Sequence, residues 1–312
     1  MTTLNPARHD ALIVGGSFAG LSAALMLARA RKRVLLVDGG QPRNRFSDHA
    51  HSLLGHDGKP PEQLLGEAIG QLMAYPTVEL RIGYVQQASQ VEGGFRLTLD
   101  EGTPVEGSTL VLATGMRDVL PDIPGLAPRW GQSVLHCPYC HGYEVAGGQL
   151  AVLANSSMSV HQAEMIPEWG ATTYFTQGRF EPTDEEMQRL LALGVVIERE
   201  PVVELEGEGT SLSAVVLADG RRVPVQAMFT APKLAFTSPL AEQLGCKLAD
   251  GPLGPYVVVD GVGATSVPGV FAGGDMASPM SSAVLSVSSG AMAGLAAHRA
   301  LMAAKVARAL AA

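Results

Sequence analysis

The strongest constraint on the fold is an apolar segment followed by a glycine-rich turn near the N-terminus. Ala11–Val14 is apolar enough for a buried strand, Gly15–Gly20 holds three glycines, and Leu21–Ala30 is rich in alanine and leucine. A second apolar segment, Val34–Val37, ends in Asp38, 18 residues after the glycine turn. A strand, a tight turn, a helix and a second strand that ends in an acid form the βαβ unit that binds dinucleotides. The sequence therefore predicts an α/β fold built on a parallel sheet.

The glycine turn departs from the usual G-x-G-x-x-G pattern at one position. Ser17 stands where the middle glycine is expected, and its hydroxyl can donate a hydrogen bond. The helix that follows would direct its N-terminus at a pyrophosphate, and Asp38 would bind a ribose hydroxyl. A glycine turn without a ligand is the alternative. Because strand, turn, helix and acid occur in register, we favour the cofactor site.

Two later segments predict that this first site holds a flavin and not a nicotinamide. Leu110–Gly115 is an apolar strand that ends in small residues, and Val270–Asp275 is another that ends in a carboxylate. A long helix of small residues follows from about Ser281 to Leu310. In this order Asp275 can bind the ribityl hydroxyls while the helix N-terminus faces the flavin. A turn with a helix cap is the simpler alternative for the glycines before Asp275.

A pair of cysteines indicates the chemistry. Cys137 and Cys140 are separated by two residues, the spacing of a redox disulfide. The chain has three cysteines, so no second pair could complete a four-sulfur zinc site, and no metal site is predicted. The third, Cys246, is expected to be a small buried apolar residue.

Composition narrows the possible partners and location. A net charge of −8 argues against nucleic acid or an anionic membrane as the main partner. No apolar segment reaches the ~18 residues of a membrane span, and no signal peptide is recognisable near Met1. Sparse cysteines fit a reducing cytoplasm.

Together these motifs resemble the low-molecular-weight thioredoxin reductase family. The resemblance covers nearly the whole chain and rests on Gly15–Gly20, Gly39–Gln41, Ala113–Gly115, the cysteine pair and Gly274–Asp275. It implies two nucleotide-binding, Rossmann-like, three-layer domains, the second inserted into a split FAD domain. The expected boundaries are 1–118 and 236–312 for the FAD domain and 119–235 for the inserted NAD(P)-binding-like domain that carries the disulfide.

The resemblance also implies roles for individual residues. Cys140 would lie next to the flavin, Cys137 would exchange with the substrate, and the protein would be a homodimer. The basic stretch Arg43-Asn44-Arg45 resembles the family's loop over the flavin, although a solvated loop is an equally good account. The expected cofactor-binding residues are Gly15, Gly16, Ser17, Ala19, Gly20, Asp38, Gly39, Gly40, Gln41, Arg43, Val85, Ala113, Thr114, Gly115, Gly274, Asp275, Ser282 and Ala283.

The expected nicotinamide site departs from the family. Between the strands predicted at Leu150–Leu153 and Ala171–Phe175, the three small turn positions are Ala154, Ser156 and Ser159. A β-carbon at the second position crowds the backbone approach to a pyrophosphate. The second strand leads into Thr176–Arg179, where NADPH-specific members of the family carry several basic residues for the 2′-phosphate. Only Arg179 is basic here, and Glu181 comes too late in the sequence to bind the 2′-hydroxyl of NADH. The sequence therefore predicts weak or absent binding of NADPH and NADH.

His141 is the second departure, since many thioredoxin reductases carry an aspartate after the second cysteine. The segment from Cys137 to Glu144 looks like the branch that contains gliotoxin-type and holomycin-type dithiol oxidases. An imidazole beside a thiolate titrates near neutral pH and can take and return a proton. His141 is therefore a predicted catalytic acid/base, with Cys137 and Cys140. Glu144 either orients the ring or starts the next strand, and Tyr139 is expected to cover the disulfide.

The direction of electron flow stays open at this level. As a reductase, the enzyme would pass electrons from FAD through the disulfide to a thioredoxin-like protein. As an oxidase, it would take electrons from a small dithiol and deliver them to oxygen. A flavin-based redox sensor with little turnover is the third alternative.

Overall fold

The computed structural model describes residues 8–156 and 158–311, which form two compact units. The first unit includes the chain up to Arg43, Glu62–Arg117 and the chain from Leu234 onward. The second includes Asn44–Pro61 and Asp118–Lys233. By its contacts, Asn44–Pro61 therefore belongs to the second unit, although its neighbours in sequence belong to the first.

The structure contains alternating strands and helices in both units. The strands are β1 (His9–Val14), β2 (Val34–Asp38), β3 (Val78–Ile82), β4 (Val85–Val91), β5 (Gly94–Leu99), β6 (Pro104–Leu112), β7 (Met116–Val119), β8 (Val134–Leu135), β9 (Gln149–Leu153), β10 (Ala171–Phe175), β11 (Val196–Glu198), β12 (Val202–Glu206), β13 (Ala214–Leu217), β14 (Arg222–Pro224), β15 (Ala227–Phe229), β16 (Lys233–Phe236), β17 (Leu248–Asp250), β18 (Pro255–Val257) and β19 (Val270–Ala272). The α-helices are α1 (Phe18–Arg29), α2 (Pro61–Met73), α3 (Pro138–His141), α4 (Ser159–Met165), α5 (Asp184–Ala192), α6 (Leu240–Gln243) and α7 (Ala283–Ala311).

The first unit is built on a seven-stranded sheet in the order β3-β2-β1-β6-β5-β4, with β19 also paired to β6. Strands β3, β2, β1, β6 and β19 run parallel, whereas β4, β5 and β6 pair in antiparallel fashion. The parallel part is the predicted βαβ arrangement. Since β1 lies between β2 and β6, the carboxyl ends of the predicted cofactor segments meet at one edge of the sheet.

Both faces of this sheet are covered, which explains why its strands are apolar throughout. Leu12 and Val14 belong to one hydrophobic core, whereas Ala11 and Ile13 belong to the other. Successive side chains of a strand point to opposite faces, so a parallel strand buried on both sides cannot alternate with polar residues. The first unit is therefore layered, with the sheet between two cores.

Small residues bring α7 into close contact with α1. A β-carbon at Gly290 would collide with the backbone of Ala19, and one at Gly294 would lie 2.7 Å from the carbonyl oxygen of Ala23. The two glycines are four residues apart, hence on one face of the helix. Their absent side chains let the backbones of α7 and α1 approach closely.

The second unit repeats the parallel pattern on a smaller scale. Its five-stranded sheet has the order β11-β10-β9-β15-β8, and β12, β13 and β14 form a separate antiparallel sheet. The predicted strands Leu150–Leu153 and Ala171–Phe175 are observed as β9 and β10, paired in parallel. The α/β fold class is thus confirmed. In the part of the chain that the structure describes, no helix is both long and apolar enough to cross a membrane.

Candidate functional site

The glycine turn of the first unit is shaped by close backbone contacts. Gly15 has a φ of +102°, and a β-carbon there would collide with the carbonyl oxygen of Ala113 at the end of β6. A β-carbon at Gly20 would collide with the carbonyl oxygen of Gly15. The hydroxyl of Ser17, the N-cap residue of α1, makes no capping hydrogen bond. The turn therefore leaves the start of a twelve-residue helix open to a ligand phosphate.

Two carboxylates stand at the same edge of the sheet. Oδ1 of Asp38 accepts a hydrogen bond of 3.0 Å from the backbone N–H of Gly16. Asp275 follows β19, and its carboxylate accepts bonds from Arg43 Nη1 at 3.0 Å and from Ser286 Oγ at 3.3 Å. One acid therefore lies beside the phosphate turn and the other beside the first turns of α7. This spacing of acids around a phosphate-binding turn fits a flavin dinucleotide.

Two further predicted cofactor segments lie beside β2 and at the start of β4. Gly39 is followed by Gly40 and Gln41, and its carbonyl accepts a bond from the Tyr84 hydroxyl at 3.2 Å. Val85 begins β4 and is 9% exposed, so it is largely buried.

Two of the predicted residues have side-chain hydroxyl groups already engaged within the unit. Thr114 Oγ1 donates to the sulfur of Met276 at 3.3 Å, and Gly115 follows with a φ of +71°. Ser282 accepts a bond from the N–H of Leu285, which caps α7 beside Ala283.

The predicted redox motif, Cys137–Cys140, begins where β8 ends in the second unit. Cys137 and Cys140 form a disulfide around the first turn of α3, with Cys137 as the N-cap residue and Pro138 at the first helical position. Proline is suited to this position because it needs no hydrogen-bond partner for its nitrogen. The turn is closed by a bond of 3.2 Å from the N–H of Cys140 to the carbonyl of Cys137. Both cysteines are partly exposed.

His141 ends this short helix in a partly buried position. Burial lowers the pKa of its imidazole, because desolvation disfavours the charged ring. The carboxylate of Glu144 acts in the opposite direction, whereas His51 and His136 add to the lowering. The ring is therefore held as a neutral base at neutral pH. Glu144 does not begin the next strand, because β9 starts at Gln149.

Tyr139 packs against another aromatic ring. The residue is 71% exposed, and its ring lies edge-on to that of Trp169, with ring centroids 5.9 Å apart. The T-shaped contact suits the positive edge of one ring and the negative face of the other. That Tyr139 covers the disulfide stays a prediction.

The loop expected to bind a nicotinamide cofactor is closed by its own side chains. Ser159 is fully buried, and its Oγ accepts bonds from the N–H groups of Asn155 at 3.1 Å and Ser156 at 3.3 Å. The amide of Asn155 donates to Thr230 Oγ1 at 3.1 Å. The helix that follows, α4, has seven residues. Backbone donors that would face a pyrophosphate are thus used within the loop.

The end of β10 contains an acid that the sequence analysis placed too far away. Thr176 Oγ1 donates to Glu181 Oε1 at 2.8 Å, so the chain folds back and brings Glu181 to the strand end. Arg199 pairs with the other carboxylate oxygen at 3.1 Å. The expectation that no acid stands here was wrong. A carboxylate at this position repels a 2′-phosphate.

The sequence analysis missed the association of His51 with the redox motif. His51 Nε2 lies 3.4 Å from Glu144 Oε1, and Ser52 Oγ donates to the carbonyl of Tyr139 at 3.3 Å. Nothing in the spacing of these residues predicts the contact, because about 90 residues separate them.

Comparisons with known proteins agree with this geometry. The family model described as pyridine nucleotide-disulphide oxidoreductase matches residues 9–309. Thioredoxin reductase tcpT of Claviceps purpurea (strain 20.1) is 33% identical over 309 residues, which is 94% of this chain and 94% of that protein.

Two solved structures are similar over nearly the full chain. An oxidoreductase from Agrobacterium tumefaciens has a TM-score of 0.91 and 46% identity, and covers 95% of this chain and 99% of its own. HlmI has a TM-score of 0.91 and 36% identity, and covers 98% of this chain and 96% of its own.

Proposed function

The chain belongs to the pyridine nucleotide-disulphide oxidoreductase family, and we propose that it oxidises a dithiol substrate through Cys137–Cys140. It is an FAD-dependent, thioredoxin reductase-like enzyme, as its family and relatives show. The observation that carries the proposed direction is the closed Ser159 loop. An enzyme whose nicotinamide loop is occupied by its own side chains needs another source of electrons, and a dithiol can supply them.

The residues of the first unit fit an FAD. The glycine turn would hold the pyrophosphate, Asp38 a ribose and Asp275 the ribityl chain, with Arg43 paired to Asp275. When bound, the flavin supplies a two-electron acceptor that can deliver electrons to oxygen. The first unit would thus be the FAD domain, and the second would carry the redox disulfide.

Thiol–disulfide exchange assigns separate tasks to the two cysteines. One sulfur of the substrate attacks Cys137 as a thiolate, the Cys137–Cys140 bond breaks, and the electron pair remains on Cys140. The second substrate sulfur then attacks the mixed disulfide and expels Cys137. The substrate leaves as a disulfide, and both enzyme cysteines are reduced.

His141 can receive the proton that the first step of this exchange releases. Attack requires a thiolate, so a base must take the proton of the substrate thiol that attacks Cys137. The proton of the second substrate thiol can pass to Cys137, which leaves as a thiolate. Because burial lowers the pKa of His141, the ring is neutral and can accept a proton near pH 7. The residue follows Cys140 directly in sequence, at the end of α3.

The alternative direction is a reductase supplied by a nicotinamide cofactor, with a thioredoxin-like protein as acceptor. It is favoured by the names of relatives such as thioredoxin reductase tcpT. The Glu181 carboxylate at the end of β10 makes NADPH the less suitable of the two nicotinamides, because its 2′-phosphate would face a negative charge.

We also propose a cytoplasmic homodimer. α7 exposes several apolar side chains that a second copy could cover. They are Val284, Leu285, Val287, Leu295, Met302, Val306 and Leu310.

Anaerobic mixing tests the direction of electron flow. The purified holoenzyme is mixed separately with NADPH, NADH and dithiothreitol, and the yellow flavin absorbance is followed by stopped flow. We expect the dithiol to bleach it rapidly and both nicotinamides to act slowly. Bleaching by NADPH within milliseconds at ordinary concentrations would refute the proposal and support the reductase.

A further inference from the structure

His51 lies between two carboxylates, one of which follows the redox motif. Nδ1 is 3.5 Å from Asp57 Oδ1, and Nε2 is 3.4 Å from Glu144 Oε1. Both ring nitrogens carry a proton only in the imidazolium form, so His51 can pair with both acids at once when it is charged. The His51 side chain is 21% exposed, against 43% for Glu144 and 70% for Asp57. The histidine is therefore the most enclosed member of the group.

Backbone attachments hold His51 in this place. The hydroxyl of Ser52 donates to the carbonyl of Tyr139, between the two cysteines, at 3.3 Å. Earlier in the same segment, the carbonyl of Phe46 accepts a bond of 2.6 Å from the side-chain amide of Gln132. Segment 44–61 is thus bonded to the rest of the second unit at one residue before the motif and at one residue within it. His51 reaches Glu144 because its own backbone is anchored there.

Glu144 connects this arrangement to His141, because it lies three residues after His141, which ends α3, and so close to it along the chain. Its carboxylate raises the pKa of His141 against the larger lowering by burial. The other titratable groups that act on His141 are His51 and His136, and both lower its pKa. Glu144 is therefore the group that stabilises a proton on His141. Since nearly half of the Glu144 side chain is exposed, its position depends on what holds it.

We propose that His51, braced by Asp57, is a positioning residue that holds the Glu144 carboxylate beside His141. This inference rests on the proposed function, because it assigns a task to His141 in thiol chemistry. When His141 takes the proton of a substrate thiol, the electron pair stays on sulfur and the new imidazolium faces a fixed carboxylate. Without His51, the Glu144 carboxylate can turn towards water, and the imidazolium of His141 loses part of its stabilisation.

The change in the pKa of His141 when His51 is replaced shows whether His51 acts by positioning Glu144 or through its own charge. If His51 acted only through its own positive charge, its removal would raise the pKa of His141, because a like charge would be lost. If it acts by holding Glu144, its removal lowers the pKa of His141, as loss of the carboxylate does. The two roles therefore predict opposite signs.

The experiment is an NMR titration of histidine-labelled, oxidised holoenzyme without substrate, with the His141 signal assigned from His141→Gln. We expect His51→Leu and Glu144→Gln each to lower the pKa of His141. In the double variant, His51→Leu should add no further lowering, because Glu144 is the group it acts through. His51→Gln keeps a hydrogen-bond donor at this position and should lower the pKa of His141 by less than His51→Leu does. It also tests the positioning role if His51→Leu does not fold.

A matched control and a rate measurement complete the test. His56→Gln changes an exposed histidine of the same segment and should leave the titration unchanged. Single-turnover oxidation of dithiothreitol should slow roughly tenfold in His51→Leu and Glu144→Gln. A raised pKa of His141 in His51→Leu, or additive shifts in the double variant, would overturn the inference. The expected titration pattern in an enzyme that oxidises no dithiol would overturn the proposed function and leave the positioning role intact.

Discussion

Ser159 and Asn155 are joined by two hydrogen bonds in the loop between β9 and α4. The hydroxyl of Ser159 accepts from the N–H of Asn155 at 3.1 Å and donates to its side-chain Oδ1 at 3.4 Å. Asn155 in turn donates to Thr230, whose carbonyl lies 3.4 Å from Nδ1 of His136, directly before the redox motif. The loop between β9 and α4 is thus linked by hydrogen bonds to the residue that directly precedes Cys137.

We expect Ser159→Ala to destabilise the protein by about 1–3 kcal/mol, because two partly buried backbone N–H groups lose their acceptor. Urea unfolding followed by circular dichroism measures the change. The control is Ser89→Ala on the exposed side of β4, which should alter stability by less than about 0.5 kcal/mol. Equal effects of the two variants would show that the Ser159 hydroxyl bears no structural role in the loop.

Parts of both units were predictable from sequence because their signals are local. The glycine turn, the apolar strands and the acids at their ends are each read within a few residues, and the positions of β1 and β2 in the first unit and of β9 and β10 in the second follow from them. The α/β fold follows because Ala11–Val14, Val34–Val37 and Leu150–Leu153 are continuous apolar runs, as expected of parallel strands covered on both faces.

The missed features all depend on chain reversal or on distant contacts. Glu181 reaches Thr176 because the chain turns back through Gln177 and Gly178, which both have φ near +60°. His51 meets Glu144 because segment 44–61 packs on the second unit, which no spacing rule indicates.

We expect His141→Ala to slow dithiol oxidation by about 10²-fold or more, the usual contribution of a general acid or base. In the parent enzyme, burial lowers the pKa of His141, so the rate should be flat above ~6.5, the ordinary value for histidine, and fall at more acid pH. The variant should lose this acid limb. The rate of dithiothreitol oxidation from pH 5 to 9 measures both effects, and His56→Ala serves as an exposed control. A variant with the parent rate across this range would exclude the role of His141.

The same lowered pKa of His141 has a consequence for stability. The folded protein binds this proton less readily than the unfolded chain, so the contribution of the neutral ring is complete above the unfolded value of ~6.5. It is lost as the pH falls through the lower pKa of the folded state. Acidification below pH ~6.5 should therefore reduce the free energy of unfolding of the parent more than that of His141→Ala. Parallel stability curves for the two proteins would contradict this expectation.

We expect the three cysteines to differ in access. Cys137 and Cys140 are joined, whereas Cys246 is 6% exposed, and burial raises the pKa of its thiol. Ellman's reagent should find no reactive thiol in the native oxidised protein and two in the native protein after reduction. It should find three in protein that is both reduced and denatured. Cys246→Ala should lower the number of reactive thiols in the reduced, denatured protein from three to two, and should leave the numbers in the native protein unchanged. A native oxidised protein with a reactive thiol would show that the disulfide is open or that Cys246 is accessible.

A charge on the exposed apolar face of α7 should convert the proposed homodimer into a monomer. Leu285 is 42% exposed and lies two residues from the start of the helix, so Leu285→Arg can face water in a monomer but not an apolar partner surface. Light scattering after size exclusion should give the mass of two chains for the parent and of one for the variant. Lys305→Glu, a change at an exposed charged position of α7, should keep the parent mass. A monomeric parent would refute the proposal.

The division of labour between the cysteines can be tested by trapping. In reduced Cys140→Ser, Cys137 should attack Ellman's reagent and keep the aryl thiol as a stable mixed disulfide, since no neighbouring sulfur can expel it. Reduced Cys137→Ser should react more slowly through Cys140, because Cys137 is the proposed site of exchange with substrate. Intact-mass spectrometry identifies the adduct, and the parent should release the aryl thiol and regain its Cys137–Cys140 bond. Faster trapping in Cys137→Ser than in Cys140→Ser would exchange the two roles, because the sulfur that meets substrate must be the one that forms the adduct.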